Sequence, residues 1–116
     1  QSELALASLL ALWPRQKKSA YIPFLLGNLY YAKRWWSVAM RHYRSAINAS
    51  SAYRKNSTLN KNVIRMLASA KTRDKANWFL RKTIGRPAKP YLSYCGKHDS
   101  NATVKKRCAA LVKVIR

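Results

Sequence analysis

Acidic side chains are nearly absent from this 116-residue sequence, which has three of them, Glu3, Asp74 and Asp99, against 24 lysines and arginines. The formal net charge is therefore +21, and repulsion among so many cations opposes folding. An anionic partner would relieve that repulsion, so the charge balance predicts a polyanion-binding protein. Deliberate supercharging of an ordinary scaffold would leave the same pattern.

Groups suited to acid–base and nucleophilic catalysis are also scarce, because the three acids are joined by only two histidines, His42 and His98. The nearest grouping of reactive side chains, Cys95, His98 and Asp99, lies on a predicted turn, and proximity in sequence does not make a catalytic triad. No glycine-rich phosphate loop is present. We therefore expect that the protein is not an enzyme and has no cofactor.

Cysteine is limited to Cys95 and Cys108, whereas a structural zinc site needs about four cysteine or histidine ligands. Only His98 lies near either cysteine in the sequence, so we predict no metal site. We expect two packed thiols on a pair of helices. A disulfide is the alternative, and it would require an oxidising compartment. Three Asn-x-Ser/Thr sequons, which matter only in a secreted chain, begin at Asn48, Asn56 and Asn101.

Long apolar runs are missing, and no segment approaches the length of a transmembrane helix. The apolar stretch from residue 4 to residue 13 has no basic residues before it, so it does not resemble a signal peptide. From these observations we expect a cytoplasmic, intracellular protein.

Glycine and proline are few, with three and four residues, which favours long helices over a fold with many turns. Hydrophobic residues make up 48% of the chain, enough for a buried core. Apolar residues recur every three or four positions along its whole length. This period predicts about seven helices, near residues 4–13, 20–32, 35–48, 59–70, 76–84, 90–95 and 104–115.

Six small or large apolar positions between residues 20 and 51 keep the register of a known repeat. They are Leu26, Gly27, Tyr30, Ala39, Tyr43 and Ala46. With this spacing the segment resembles a tetratricopeptide repeat, in which the small residues let two helices approach and the rings fill the space beside them. The usual early aromatic residue and the usual final proline of the repeat are replaced by Pro23 and Ser51.

The flanking segments extend this resemblance. Apolar positions within residues 1–14 precede those of the central repeat by 34 residues, so this segment resembles the second half of such a repeat. Residues 57–85 resemble a degenerate repeat, and residues 87–116 resemble a HEAT-type helix pair. The resemblance implies an all-α, single helical-repeat domain over residues 1–116, a right-handed α-solenoid of antiparallel helix pairs with a concave binding face.

Basic residues concentrate in the second half, where residues 59–116 hold fifteen of the 24. Many lie three or four positions apart on one helix face, as Arg41 and Arg44 or Lys61 and Arg65 do. A strip of cations suits the phosphates of nucleic acid, since binding releases counterions. We predict a nucleic-acid-binding surface that comprises Arg41, Arg44, Lys61, Arg65, Lys71, Arg73, Lys75, Arg81, Lys82, Lys105 and Lys106.

No motif for reading base sequence is present, so binding to DNA or RNA would be directed to the backbone. Base stacking is a further hypothesis, because aromatic residues such as Trp35, Trp78 and Tyr94 stand among the basic ones, although packing between helices accounts for part of this set. The main alternative partner is an acidic protein or peptide held in the concave groove. Attachment to an anionic membrane surface is another.

Overall fold

Seven α-helices make up most of residues 2–116, the part of the chain that this computed structural model describes, and no β-strand occurs in that part. The predicted all-α class and the number of helices are confirmed. The helices are α1 (Ser2–Leu12), α2 (Tyr21–Ala32), α3 (Trp36–Ala49), α4 (Ser57–Arg65), α5 (Arg73–Trp78), α6 (Lys89–His98) and α7 (Ala102–Val114). Short 3-10 helices cover Trp13–Arg15, Ser51–Lys55, Met66–Ala68 and Arg86–Ala88, and a π-helical turn covers Phe79–Ile84.

The chain forms two compact units, one that ends at Tyr53 and one that spans Arg54 to Arg116. The first contains α1 to α3 and the second contains α4 to α7, and each has its own buried apolar side chains. The assignment of a single repeat domain to residues 1–116 stays a prediction. No helix within residues 2–116 is long and apolar enough to cross a membrane.

The core of the first unit is the antiparallel pair α2–α3, in which the ring of Tyr43 lies against the backbone of Gly27. A Cβ atom at residue 27 would overlap this ring and lie 3.1 Å from its Cγ atom, so the close approach requires glycine. The Tyr43 hydroxyl donates a 2.5 Å hydrogen bond to Oδ1 of Asn28. All six positions of the repeat register, from Leu26 to Ala46, are buried.

The turn from α2 to α3 closes around Arg34, the one non-glycine residue with positive φ (64°) in the described chain. The amide of Arg34 donates to the carbonyl of Tyr31, and the amide of Trp35 donates to the carbonyl of Tyr30, both at 3.0 Å. The rings of Tyr30 and Trp35 stack across the turn with centroids 5.7 Å apart. This Schellman arrangement satisfies the last carbonyls of α2 and returns the chain along it.

The helix α1 packs on α2 and buries Leu6, and Pro14 lies in the 3-10 turn that follows α1. Glu3 on α1 forms an ion pair with Lys33 at the end of α2. The hydrogen bond from Lys33, followed by the charge of Lys33, lowers the pKa of the Glu3 carboxyl. Both side chains are solvent-accessible, so this pair contributes little to stability.

The helix α6 differs from its predicted bounds, because it continues to His98 rather than ending at Cys95. Lys97 is a cation in the last turn of α6, where positive charge is favourable against the helix dipole. The predicted bounds, near residues 90–95, leave this residue outside the helix. The actual link to α7 is shorter, and a short link makes neighbouring helices antiparallel.

A disulfide joins Cys95 on α6 to Cys108 on α7, with the two Cα atoms 5.9 Å apart. The expectation of two packed thiols is therefore wrong, although the two residues do lie on a helix pair. The antiparallel packing of α6 on α7 brings two buried cysteine side chains face to face at a separation that suits a disulfide.

Candidate nucleic-acid interface

The second unit carries most of the charge, since Arg54–Arg116 holds seventeen of the 24 lysines and arginines and two of the three acids. One of these acids, Asp99, is neutralised by Arg65, whose Nη2 atom lies 2.6 Å from Oδ1 of Asp99. Its second oxygen accepts a 2.9 Å hydrogen bond from the amide of Asn101. The other acid, Asp74, forms no ion pair within residues 2–116.

The approach to α5 is fixed by two side chains that bond to the preceding 3-10 helix. The hydroxyl of the buried Thr72 donates to the carbonyl of Met66 at 2.8 Å. Nε of Arg73 donates to the carbonyl of Leu67 at 2.9 Å, and its Nη2 donates to that of Ala68 at 3.3 Å. These bonds satisfy carbonyls at the end of the 3-10 helix and set the direction of α5.

The segment from Lys71 to Gly85 ends in the π turn, whereas the apolar period near residues 76–84 predicted a regular helix. The amide of Gly85 donates to the carbonyl of Leu80 at 2.9 Å, and Nε of Arg54 donates to the carbonyl of Ile84 at 2.8 Å. Gly85 then takes φ 72° and ψ −139°, a conformation nearly confined to glycine. The segment is therefore held at both ends by arginine side chains that bond to backbone carbonyls.

Four cations and a tryptophan lie on the exposed side of this segment, and we call them the Trp78 basic face. Its members are Lys71, Lys75, Trp78, Arg81 and Lys82, all of them exposed. Lys75 and Arg81 lie three residues from the tryptophan and Lys82 lies four, which is neighbour spacing on a helical surface. Within residues 2–116 the four cationic side chains form no ion pair and no hydrogen bond to other groups.

The opposite side of the same segment is apolar and buried. Ala76, Phe79, Leu80 and Ile84 are at most 1% exposed. One carboxylate, Asp74, lies between Lys71 and Gly85. It is exposed, like the four cations, and is four residues before Trp78. Cations outnumber it four to one on the Trp78 basic face, so the local field attracts anions.

The structure gives Arg65 and Arg73, two members of the predicted interface, partners within the chain. Arg65 pairs with Asp99, and Arg73 bonds to two carbonyls before α5. Their guanidinium groups therefore stabilise the second unit, and substitutions there would disturb the fold along with any binding. Sequence spacing showed that these residues lie off the apolar stripe but could not show their contacts. Asp99 is 34 positions from Arg65, and the carbonyls that Arg73 binds belong to the 3-10 helix before α5.

The remaining predicted residues are exposed but lie apart from the Trp78 basic face along the chain. Lys61 is on α4, and Lys105 and Lys106 are on α7, off the buried stripe of that helix. Arg41 and Arg44 are on α3, in the first unit. The eleven predicted residues are thus spread over two units, and the four exposed cations Lys71, Lys75, Arg81 and Lys82 are the largest group of them on one segment.

Three large aromatic side chains that the sequence placed among cations are exposed, but only one has a free ring. Trp35 is 55% exposed and stacks on Tyr30, with Nζ of Lys33 5.5 Å from its ring centroid. Tyr94 is 69% exposed and lies 4.6 Å from the ring of His98. Trp78 is 51% exposed, and within residues 2–116 its side chain has no ring, cation or hydrogen-bond partner. In the sequence, Trp78 lies off the apolar stripe of Ala76 and Phe79, and this position is the signal that could have indicated an exposed ring.

The histidine and cysteine side chains form no metal-binding cluster in the described part of the chain. No set of three or more histidine, cysteine or acidic side chains within residues 2–116 could hold a metal ion. The sulfur of Cys95 is in the disulfide and cannot serve as a thiolate nucleophile. His42 stacks on Tyr30 with centroids 5.2 Å apart, and its burial, followed by the charge of Arg41, lowers its pKa.

No protein-family model matches the chain, and neither a curated protein nor a solved structure does. The geometry and charge of residues 2–116 are therefore the basis for a functional conclusion.

Proposed function

We propose that this chain is a basic helical-repeat module whose second unit binds the phosphate backbone of nucleic acid without strong sequence preference. The observation that carries the proposal is the Trp78 basic face, four exposed cations on one segment with a single carboxylate, Asp74, beside them. Intrachain pairing does not neutralise these cations. Phosphates that bind there release counterions and reduce the repulsion within a chain of charge +21.

The repeat interpretation is part of the same proposal. The six positions from Leu26 to Ala46 are buried, and Gly27 receives the ring of Tyr43, as the tetratricopeptide-like register requires. The α6–α7 pair is the counterpart of the proposed HEAT-like segment. A solenoid built from such pairs would present an extended surface to a linear polyanion.

The cytoplasmic localisation expected from the sequence is harder to reconcile with the disulfide. Disulfides persist mainly in oxidising compartments, so the bond between Cys95 and Cys108 favours an extracytosolic location. The proposed interface contains neither cysteine. We therefore expect nucleic-acid binding in both the oxidised and the reduced protein, and binding measured with and without a reductant tests this independence.

The test of the proposal is a salt titration with a matched pair of triple variants. Changing Lys71, Lys75 and Lys82 to glutamine removes three cations from the Trp78 basic face. On a single strand, the slope of log affinity against log salt should flatten by about 0.7 for each phosphate that the variant no longer binds, or roughly 2 in all. Binding should weaken equally across base sequences, because interactions with the backbone carry no sequence information.

The control removes three equally exposed cations from the first unit, by changing Arg15, Lys17 and Lys18 to glutamine. Its net charge equals that of the test variant, so equal weakening in both would show that net charge acts alone. An acidic peptide in the same titration tests the main alternative partner. Tighter, saturable binding of that peptide than of nucleic acid would replace the proposal.

A further inference from the structure

We propose that the Trp78 basic face selects single-stranded nucleic acid, with an unpaired base stacked on the indole of Trp78 while neighbouring phosphates contact Lys75, Arg81 and Lys82. This inference rests on the proposed function and names its substrate class. It follows from two observations that are independent of net charge. One is the free ring of Trp78, and the other is the position of the cations around it.

The free ring is unusual because the other exposed tryptophan is already stacked. The face of Trp35 is occupied by Tyr30, and Lys33 lies over its ring. Trp78 is exposed to a similar extent, 51% against 55%, yet its ring contacts no other ring or cation within residues 2–116. An indole that remains half exposed beside several cations has both properties of a platform for a nucleobase: a π face and nearby phosphate-binding groups.

The surrounding charges argue for an anionic partner that has flat rings of its own. Cations lie three residues before Trp78, at Lys75, and three and four residues after it, at Arg81 and Lys82. A base on the indole would therefore have a cation toward each neighbouring phosphate along the segment. The π turn that begins at Phe79, directly after the tryptophan, fits this location, since π turns recur at functional sites.

A membrane surface fits this face less well than a nucleic acid does. Helices that lie in a membrane interface present a broad apolar face to the lipid. Here the apolar stripe of the segment, from Ala76 to Ile84, is buried in the second unit. Trp78 is the one large apolar side chain exposed between Lys71 and Gly85, so there is little apolar surface to insert.

Duplex nucleic acid would bind this face through its phosphates alone. Bases in a duplex stack on one another and offer no free π face, whereas every base of a single strand does. Stacking on one aromatic side chain changes affinity by on the order of 5- to 100-fold. The inference therefore predicts a preference for single strands that depends on Trp78.

The experiment compares three labelled probes of about 15 residues: oligothymidylate, a duplex, and an abasic strand with the same phosphates but no bases. Trp78→Ala should weaken binding of oligothymidylate by about 10-fold or more and change the other two by less than about threefold. Trp78→Phe keeps a ring and should recover most of the affinity. Tyr94→Ala removes an exposed ring that is already in contact with His98 and should change none of the three.

The outcomes separate this inference from the function on which it rests. If Trp78→Ala leaves oligothymidylate binding unchanged while the triple lysine variant weakens it, stacking is refuted and backbone binding stands. If neither variant weakens any probe, both proposals fail. Vesicles rich in phosphatidylserine form the last arm, and a larger loss of vesicle binding than of oligothymidylate binding in Trp78→Ala would assign the face to a membrane. Melting curves on each variant show whether the protein remains folded after the substitution.

Discussion

Single residues in the first unit show how little room the α2–α3 contact leaves. The ring of Tyr43 is fully buried, contacts Phe24 with centroids 6.2 Å apart, and is tethered to Asn28 by its hydroxyl. It therefore cannot move aside for a new side chain at Gly27. We expect Gly27→Ala to lower the free energy of unfolding by about 1–3 kcal/mol, measured by denaturant titration.

The sign of this effect is diagnostic. At an unconstrained helical site, replacing glycine by alanine stabilises by about 1 kcal/mol. A raised melting midpoint in Gly27→Ala would therefore contradict the close approach of α2 and α3. In the double variant with Tyr43→Leu, the alanine should cost less than it does alone, because the ring that it overlaps has gone.

Titration of His42 is a second effect at this scale. Burial lowers its pKa below the ordinary value of about 6.5, so the unfolded chain takes up a proton at a pH where the folded chain does not. The contribution of His42 to stability is therefore fully present above pH 6.5 or so and is lost as the pH falls toward its folded pKa. We expect the free energy of unfolding to decline as the pH falls below about 6.5.

The variant His42→Phe isolates this effect, because it keeps a ring to stack on Tyr30 but cannot titrate. Its unfolding free energy should change less over the same pH window than that of the unmodified protein. Equal slopes in the two proteins would show that His42 does not cause the decline.

At the scale of elements, the α6–α7 pair depends on a covalent link as well as on packing. The disulfide closes a short loop, because Cys95 and Cys108 are separated by thirteen positions in the sequence. Cross-linking a loop of this length stabilises by about 3 kcal/mol through the unfolded state. We expect the double variant Cys95→Ala, Cys108→Ala to lose stability of about that size while it retains nucleic-acid binding.

A reducing agent provides the control for this prediction. It should lower the melting temperature of the unmodified protein toward that of the double variant and leave the double variant unchanged. A melting temperature insensitive to reductant would show that the two sulfurs are not bonded in solution. Stoichiometric zinc in the purified protein would instead point to a metal site at these cysteines.

At the scale of the whole molecule, most of the positive charge has no carboxylate to balance it. Two ion pairs form within residues 2–116, whereas the formal charge is +21. Added salt screens exposed charges, since the screening length falls from about 30 Å at 0.01 M to about 10 Å at 0.1 M. We expect the melting temperature to rise by several degrees over that range, because roughly 1 kcal/mol corresponds to 4–8 °C in a small domain.

A polyanion should produce a larger rise than sodium chloride at the same ionic strength, because it binds the folded surface as well as screening it. A melting temperature that falls with salt would mean that the pairs of Glu3 with Lys33 and of Asp99 with Arg65 outweigh the repulsion. That result would remove the physical argument for an anionic partner.

Helices and charge were largely predictable, whereas the interface was not. The register of Leu26, Gly27 and Tyr43 predicted a close helix pair, because it places a small residue of one helix opposite a large ring of the next. The same reasoning grouped Arg65 and Arg73 with the exposed cations, although both bond within the chain. Arg65 pairs with a residue 34 positions away, and Arg73 bonds to the 3-10 helix that precedes α5, so spacing along one helix carries no information about either partner.

The sequence by itself determined the all-α class, the approximate positions of seven helices and the cationic surface, because these follow from local periodicity and composition. The tertiary structure alone decided which cations are free, that Cys95 bonds to Cys108, and that Trp78 rather than Trp35 offers an unoccupied ring. Each of these depends on which segments meet in space. Arg65 and Asp99, for example, are 34 residues apart, and only the packing of distant elements brings such groups into contact.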